Sequence, residues 1–252
     1  MPVIRNVLGI KVYTPVHVGD DARLVGAVHG LEQALSGMRL DWTVSEDKKL
    51  IHLPQRDEWF AHARRTRSLP FVCNNDESYP VTMAALEIPA TYGPGGQPML
   101  DIHADLPLEP AVIAAAAEML EAIAEGAQAL WGQATPFAAA LDIVRQASRT
   151  LEGVPSPPRG LPPLKQGKDI RSPEIPHRLG WLNYWSANAA RAIGFPEPAR
   201  DADLLSQSRR TATGGWVVRL TDAPLELDNP AHLAALLRAY ERFPKIGGRA
   251  AH

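Results

Sequence analysis

The sequence contains one cysteine, Cys73, in 252 residues. A single thiol excludes an intrachain disulfide framework and a cysteine-rich zinc site. No apolar run reaches the roughly 18–20 residues that a helical membrane span needs. An excess of one charge is missing as well. Lys and Arg number 26 against 28 Asp and Glu, a net charge of -2. A dedicated nucleic-acid binder carries a clear basic excess, and a polyanionic mimic of nucleic acid carries the opposite; neither fits. Met1 to Ile10 has no long apolar stretch and no small-residue cleavage site, so a cytoplasmic, reducing location is expected. Walker, GxGxxG, GxSxG and HExxH motifs are also absent. Tyr92-Gly93-Pro94-Gly95-Gly96 is glycine-rich, but it has an internal proline and no following lysine. It reads as a turn rather than a phosphate cradle.

What is present is a globular composition, with 45% hydrophobic and 21% charged residues. A chain of this length can bury a full core. Val7 to Thr14 is a strand candidate with Leu8, Ile10 and Val12 on one face. Asp20 and Asp21 precede a helical pattern of Leu24, Val28, Leu31 and Leu35, which Ser36-Gly37 stops. Leu40–Val44 and Leu50–Leu53 read as strands around a polar turn at 45–49. Asp57–Arg67 reads as a helix anchored by Trp59 and Phe60. Phe71–Cys73 and Val81–Ile88 are further strands. Leu100 to Leu106 alternates strictly, with Asp101, His103 and Asp105 on the polar side. A long helix is expected from Pro110 to Trp131, and another from Thr135-Pro136 through Leu141 and Val144.

Seven prolines between Gly153 and Pro176 exclude a regular helix or central strand there. This stretch reads as a surface strap, and residues 153–176 hold the one candidate internal boundary. Leu179 to Ile193 is expected to be helical, with Trp181, Tyr184 and Trp185 on one side. Trp216, Val218 and Leu220 alternate as a strand. Asn229-Pro230 caps a final helix carrying Leu233, Leu236, Leu237 and Tyr240.

Few residues suggest chemistry. Asp101, His103 and Asp105 share one strand face, and residues two apart can converge on a metal or pair as base and orienter. The competing reading is the solvated polar face that alternation produces in any half-buried sheet. Cys73 could act as a nucleophile or simply as a small buried hydrophobe. Arg64-Arg65-Thr66-Arg67 could meet an acidic partner or be a solvated helix face. Trp181, Tyr184 and Trp185 could anchor a partner, as Tyr and Trp do in binding hot spots, or pack in the core. No catalytic residue, metal ligand set or cofactor site is assigned.

From Gly180 onward the order of motifs carries a resemblance. Gly180-Trp181-Leu182-Asn183-Tyr184-Trp185-Ser186 is followed by Gly214-Gly215-Trp216-Val217-Val218-Arg219-Leu220. Leu227-Asp228-Asn229-Pro230-Ala231-His232-Leu233 then opens a terminal helix. This resembles the C-terminal part of the immunity protein 52 family of bacterial polymorphic-toxin systems, or an uncharacterised bacterial family related to it. The resemblance covers about a quarter of the chain. The start differs, lacking an aromatic-rich opening, and the proline strap is longer. It implies a non-catalytic protein that binds and neutralises a cognate toxin. An accessory protein that holds a precursor peptide in natural-product biosynthesis is the alternative, and a metal-dependent enzyme using the Asp101/His103/Asp105 face is the third reading. The expected fold is α+β in one compact unit over residues 1–252. It has a mixed or largely antiparallel sheet, helices mainly on one face, and a C-terminal helix–strand–helix unit joined by the strap. Expected partners are a toxin protein or peptide, with no nucleic acid and no membrane, and a homodimer is compatible with the sequence.

Overall fold

Alternation of apolar residues with Gly9, Lys11 and Tyr13 makes Val7–Pro15 a strand, β1, at the centre of the molecule. In the computed structural model, residues 6–16, 22–65, 70–147 and 157–250 are described. Asp20, Asp21 and the side chains of Arg64, Arg65, Thr66 and Arg67 lie outside them. The elements that follow are α1 (Arg23–Ala34), β2 (Trp42–Val44), β3 (Leu50–His52), α2 (Arg56–Arg65), β4 (Phe71–Cys73), β5 (Thr82–Ile88), β6 (Met99–Pro107) and α3 (Pro110–Gly126). Next come β7 (Trp131–Pro136), α4 (Phe137–Arg145), β8 (Leu182–Trp185), α5 (Ala187–Ile193), α6 (Ala202–Ser206), β9 (Ser208–Arg210), β10 (Trp216–Arg219) and α7 (Pro230–Arg242). The fold is α+β. Among the described residues, ten strands form one sheet in the order β3-β2-β4-β5-β6-β1-β7-β8-β10-β9, and all neighbours are antiparallel.

Cross-strand register sorts the side chains. Leu8, Ile10 and Val12 share one face with Leu106, Ala104 and Ile102 of β6, and all six are buried. Tyr184 lies on this same face by register and donates its hydroxyl to Glu125 of α3 at 3.0 Å. The pair α1 and α3 therefore covers it. These two helices approach backbone to backbone: a Cβ on Gly26 would lie 2.3 Å from the Gly126 carbonyl oxygen, and one on Gly126 would lie 2.2 Å from that of Gly26. Only glycine permits that crossing. The opposite face carries Tyr13, Trp131 and Trp185 on one rung. Phe243, just past α7, packs edge-on against Trp185 at 5.1 Å, so α7 covers the C-terminal half of that second face.

Two expectations are corrected here. The helix expected through Trp131 stops at Gly126, and Gln128 takes a left-handed φ of 51°. Leu130 then donates its backbone N–H to Tyr13, and Trp131 begins a fully buried strand beside β1. Likewise Leu179–Ile193 is not one helix. Leu182–Trp185 fits between β7 and β10 as a strand, and the helix starts only at Ala187, where Ser186 accepts from the N–H of Ala189. The C-terminal portion thus contributes three strands to the common sheet rather than one.

The strap is tied down along its described length. Leu161, Leu164, Ile170 and Ile175 are buried. Gln146 donates to the carbonyl of Pro162 at 2.9 Å, and the Trp131 indole donates to that of Pro173 at 3.1 Å. The final helix is capped as its sequence predicts, with the Asn229 side chain accepting from the N–H of Ala231 at 2.9 Å. Among the described residues, no helix is long and apolar enough to cross a membrane.

Candidate functional site

Three successive rungs cross the centre of the second sheet face. They are Asp105–Gly9–Thr135, His103–Lys11–Gln133 and Asp101–Tyr13–Trp131, read from β6 through β1 to β7. The strand period of two puts all nine positions on one side. The described end of the strap folds over the β7 side of this patch. Gly180 lies so close to Thr135 that a Cβ there would sit 2.2 Å from the Thr135 hydroxyl oxygen. His177 lies against the aromatic rung, its ring 4.6 Å from Trp131 and 5.4 Å from Tyr13.

This covering makes the face unlike an ordinary solvated one. Asp101, Gln133 and Thr135 are 8%, 6% and 3% exposed, whereas Asp105 is exposed and His103 intermediate. The solvated reading of the Asp101/His103/Asp105 face therefore holds for Asp105 alone. The three do not converge on a metal either. Among the described residues, no group of three or more His, Cys, Asp or Glu side chains is placed to hold an ion.

The hydrogen-bond accounting is what sets the patch apart. Among the described residues, five buried side-chain atoms have no hydrogen-bond partner: Asp101 Oδ1, His103 Nδ1, Gln133 Oε1, Thr135 Oγ1 and His177 Nε2. Four belong to the three rungs, and the fifth belongs to the histidine stacked on them. Native interiors leave few such groups, and each costs about 1–3 kcal/mol. The charges are only partly matched. Lys11 reaches the other oxygen of Asp101 at 3.7 Å, a loose ion pair with the lysine 44% exposed. Tyr13 is held above the usual tyrosine range by burial and by the Asp101 carboxylate, while Arg178 pulls it down. His177 is pushed down to about 3 by burial and by neighbouring Arg178, so its ring is neutral at pH 7.

Two surface clefts lie elsewhere. One, of about 590 Å³, is lined by His29, Arg39, Asp41, His52, Arg56 and Asp57 among others. Its buried cation is already matched, because Arg56 meets Glu32 at 2.5 Å and Asp41 at 3.2 Å. The other, of about 740 Å³, lies between α6 and α7. No unpartnered buried polar atom belongs to a residue lining either cleft. Among the described residues, the unmet bonding capacity lies on and against the sheet face.

The aromatic residues expected to anchor a partner are placed differently. Trp181, Tyr184 and Trp185 are 1%, 2% and 0% exposed. Being in and beside a strand, Tyr184 and Trp185 point to opposite faces. Trp181 donates its indole N–H to the Thr221 carbonyl at 2.8 Å. Cys73 is buried too, and burial raises its thiol pKa, which disfavours the thiolate a nucleophile needs. Sequence reasoning found the β6 part of the patch but missed Lys11, Gln133, Thr135, His177 and Arg178. The alternation of Gly9, Lys11 and Tyr13 against Leu8, Ile10 and Val12 was the available signal for β1. Gln133 and Thr135 had none, since the segment before them read as helix.

Comparison with known proteins adds a family and a fold. The family described as a domain of unknown function (DUF5953) matches residues 19–251. No curated protein matches. Among solved structures, "Pseudomonas aeruginosa T6SS protein PA0821" is similar, with a TM-score of 0.56 and 13% sequence identity. The alignment covers 94% of this chain and 73% of that one. At this identity the likeness is one of fold.

Proposed function

The chain belongs to the DUF5953 family, and from that starting point we propose that it is a non-catalytic, cytoplasmic binding protein of the immunity type, which neutralises a bacterial toxin by occupying it. One observation carries this reading. Among the described residues, the five buried polar atoms without partners lie on one sheet face and on the histidine packed against it. These atoms are covered in the free chain, so a partner that shifts the segment over them and then bonds to them recovers bonding that the free protein forgoes. The similarity to a T6SS protein fits a bacterial toxin-system setting, and so does the order of motifs from Gly180 onward.

The test is protection. A toxin encoded beside this gene is co-expressed with the wild-type protein and with Lys11→Glu and Gln133→Ala variants shown by circular dichroism to be folded. Growth rescued by the wild type and weakened by either variant is the expected result. No protection against the neighbouring toxin, or full protection by both variants, would count against the reading.

A second reading, a peptide-holding accessory protein, is favoured by one feature. Edge strand β3 exposes Leu50 and Ile51, with Val44 exposed on β2 beside it, and among the described residues no strand flanks its outer side. An edge of this kind accepts an added strand through backbone hydrogen bonds. Binding of a precursor peptide that shifts the β3 amides in an NMR spectrum, without protection against any toxin, would favour it.

A further inference from the structure

The second sheet face is covered unevenly. The strap and α7 lie over its β7 side. Toward β3 the same face carries two further rungs, read from β3 through β2, β4 and β5 to β6. One is His52–Trp42–Cys73–Thr82–Asp105 and the other Leu50–Val44–Phe71–Ala84–His103. Val44 stands beside Phe71 because the antiparallel register of Trp42 and Cys73 continues to them. The Trp42 and His52 rings, 4.9 Å apart, share this side. Leu50 and Val44 are exposed, and Trp42, Phe71 and Ala84 are partly exposed. The open face of an antiparallel sheet is ordinarily polar. These rungs are mostly apolar instead, and a contiguous apolar patch marks a contact surface.

The order of residues along the rungs identifies the surface that fits. Each rung has five positions, with β4 in the middle. The first begins at exposed His52 and ends at exposed Asp105, and neither forms an ion pair with another described residue. Consider two copies face to face, with a two-fold axis running between them along β4. Each end position then lies over the other end of the second copy. His52 of one copy meets Asp105 of the other, and the pair occurs twice. Trp42 meets Thr82 and Val44 meets Ala84, large against small, while Phe71 meets its own equivalent on the axis. The patch is thus complementary to itself, as an isologous interface requires. Aligned sheets pack about 10 Å apart, a gap that facing side chains fill. Five strands about 4.8 Å apart and about 17 Å long present roughly 400 Å² per copy in projection. An area of this order suits a small, reversible interface.

We propose that this chain forms a two-fold dimer through the open half of the second sheet face, with β4 on the axis and His52 of each copy beside Asp105 of the other. The dimer stands apart from the toxin-binding reading, because β1, β7 and the strap lie outside the paired strands.

Sedimentation equilibrium of the full chain, from low micromolar to submillimolar concentration, should show reversible monomer–dimer exchange. Val44→Glu sets a carboxylate against the apolar surface of the second copy and should weaken dimerisation at least about tenfold. Its circular dichroism should stay native, since Val44 is exposed in the single chain. His52→Asp and Asp105→Lys should each weaken the dimer about fivefold, as two exposed charge pairs are lost together. The double variant His52→Asp/Asp105→Lys faces opposite charges again and should recover most of the loss. A chain that stays monomeric over the whole range would overturn the assignment. So would a dimer that tolerates Val44→Glu, or single charge variants whose loss the double variant does not repair. A dimer indifferent to Asp105→Lys would place the contact at the β3 edges instead, and equally overturns it.

Discussion

Tyr13 and Trp131 stack across the β1–β7 pair, with ring centroids 4.0 Å apart and planes 21° from parallel. The same indole donates to the Pro173 carbonyl of the strap. One side chain therefore joins two central strands and the segment that covers them. Trp131→Ala should cost about 3–5 kcal/mol, as for other large aromatic truncations in a core. Trp131→Phe keeps most of the stacking and should lose about 1–3 kcal/mol for the orphaned carbonyl. Urea denaturation of the three proteins measures both differences. Equal midpoints for wild type and Trp131→Ala would show that the stack contributes nothing.

The acid side of the stability profile should carry the signature of His177. Its folded-state pKa of about 3 lies below the unfolded value near 6.5. The unfolded chain therefore binds a proton that the folded one refuses. The contribution is complete above pH 6.5 and is lost as pH falls toward 3, at no more than about 1.4 kcal/mol per pH unit. Groups facing the ring are Tyr13, Trp131 and Arg178, and the positive guanidinium reinforces the effect. His177→Phe should flatten the decline between pH 6.5 and 4 relative to wild type, followed by thermal melts at each pH. Parallel profiles for the two proteins would exclude His177 as the cause.

Neighbouring positions on β6 should respond very differently. Ile102 is fully buried on the helix-covered face, so Ile102→Asp strands a charge in the core and should cost about 4 kcal/mol or more. Asp101 faces the other way, beside Lys11 and Tyr13, and its Oδ1 has no partner to lose. Asp101→Ser should stay within about 1–2 kcal/mol. Circular dichroism melts of the two variants decide the matter, and similar losses for both would overturn this facing of β6.

Elements with a local cause were readable in the sequence. The alternation of Leu100 to Leu106 gives β6, and Asn229-Pro230 gives the start of α7, because each signal acts within a few residues. The segment from Gly180 to Trp185 was not readable in this way. Trp181, Tyr184 and Trp185 have helical spacing, yet the gap between β7 and β10 is filled by an extended chain, and long-range packing overrides the local period. The candidate site failed to show for the same reason. Alternation correctly places Asp101, His103 and Asp105 on the less apolar side. Nothing near them announces that Gly180 and His177, more than seventy residues later, will close over the strands beside them.

The position of β1 has a consequence for how this chain reaches its structure during synthesis. Leu8 pairs with Leu106 on one side and Pro136 on the other. The strand that holds both halves of the sheet together therefore leaves the ribosome roughly 100 residues before its first neighbour and still longer before its second. Until then its two hydrogen-bonding edges and the apolar face of Leu8, Ile10 and Val12 have no native partner, a state prone to wrong pairing. Contacts of such long sequence separation close slowly. The nascent protein is thus most exposed to aggregation, and most dependent on chaperone protection, in the interval before β7 emerges.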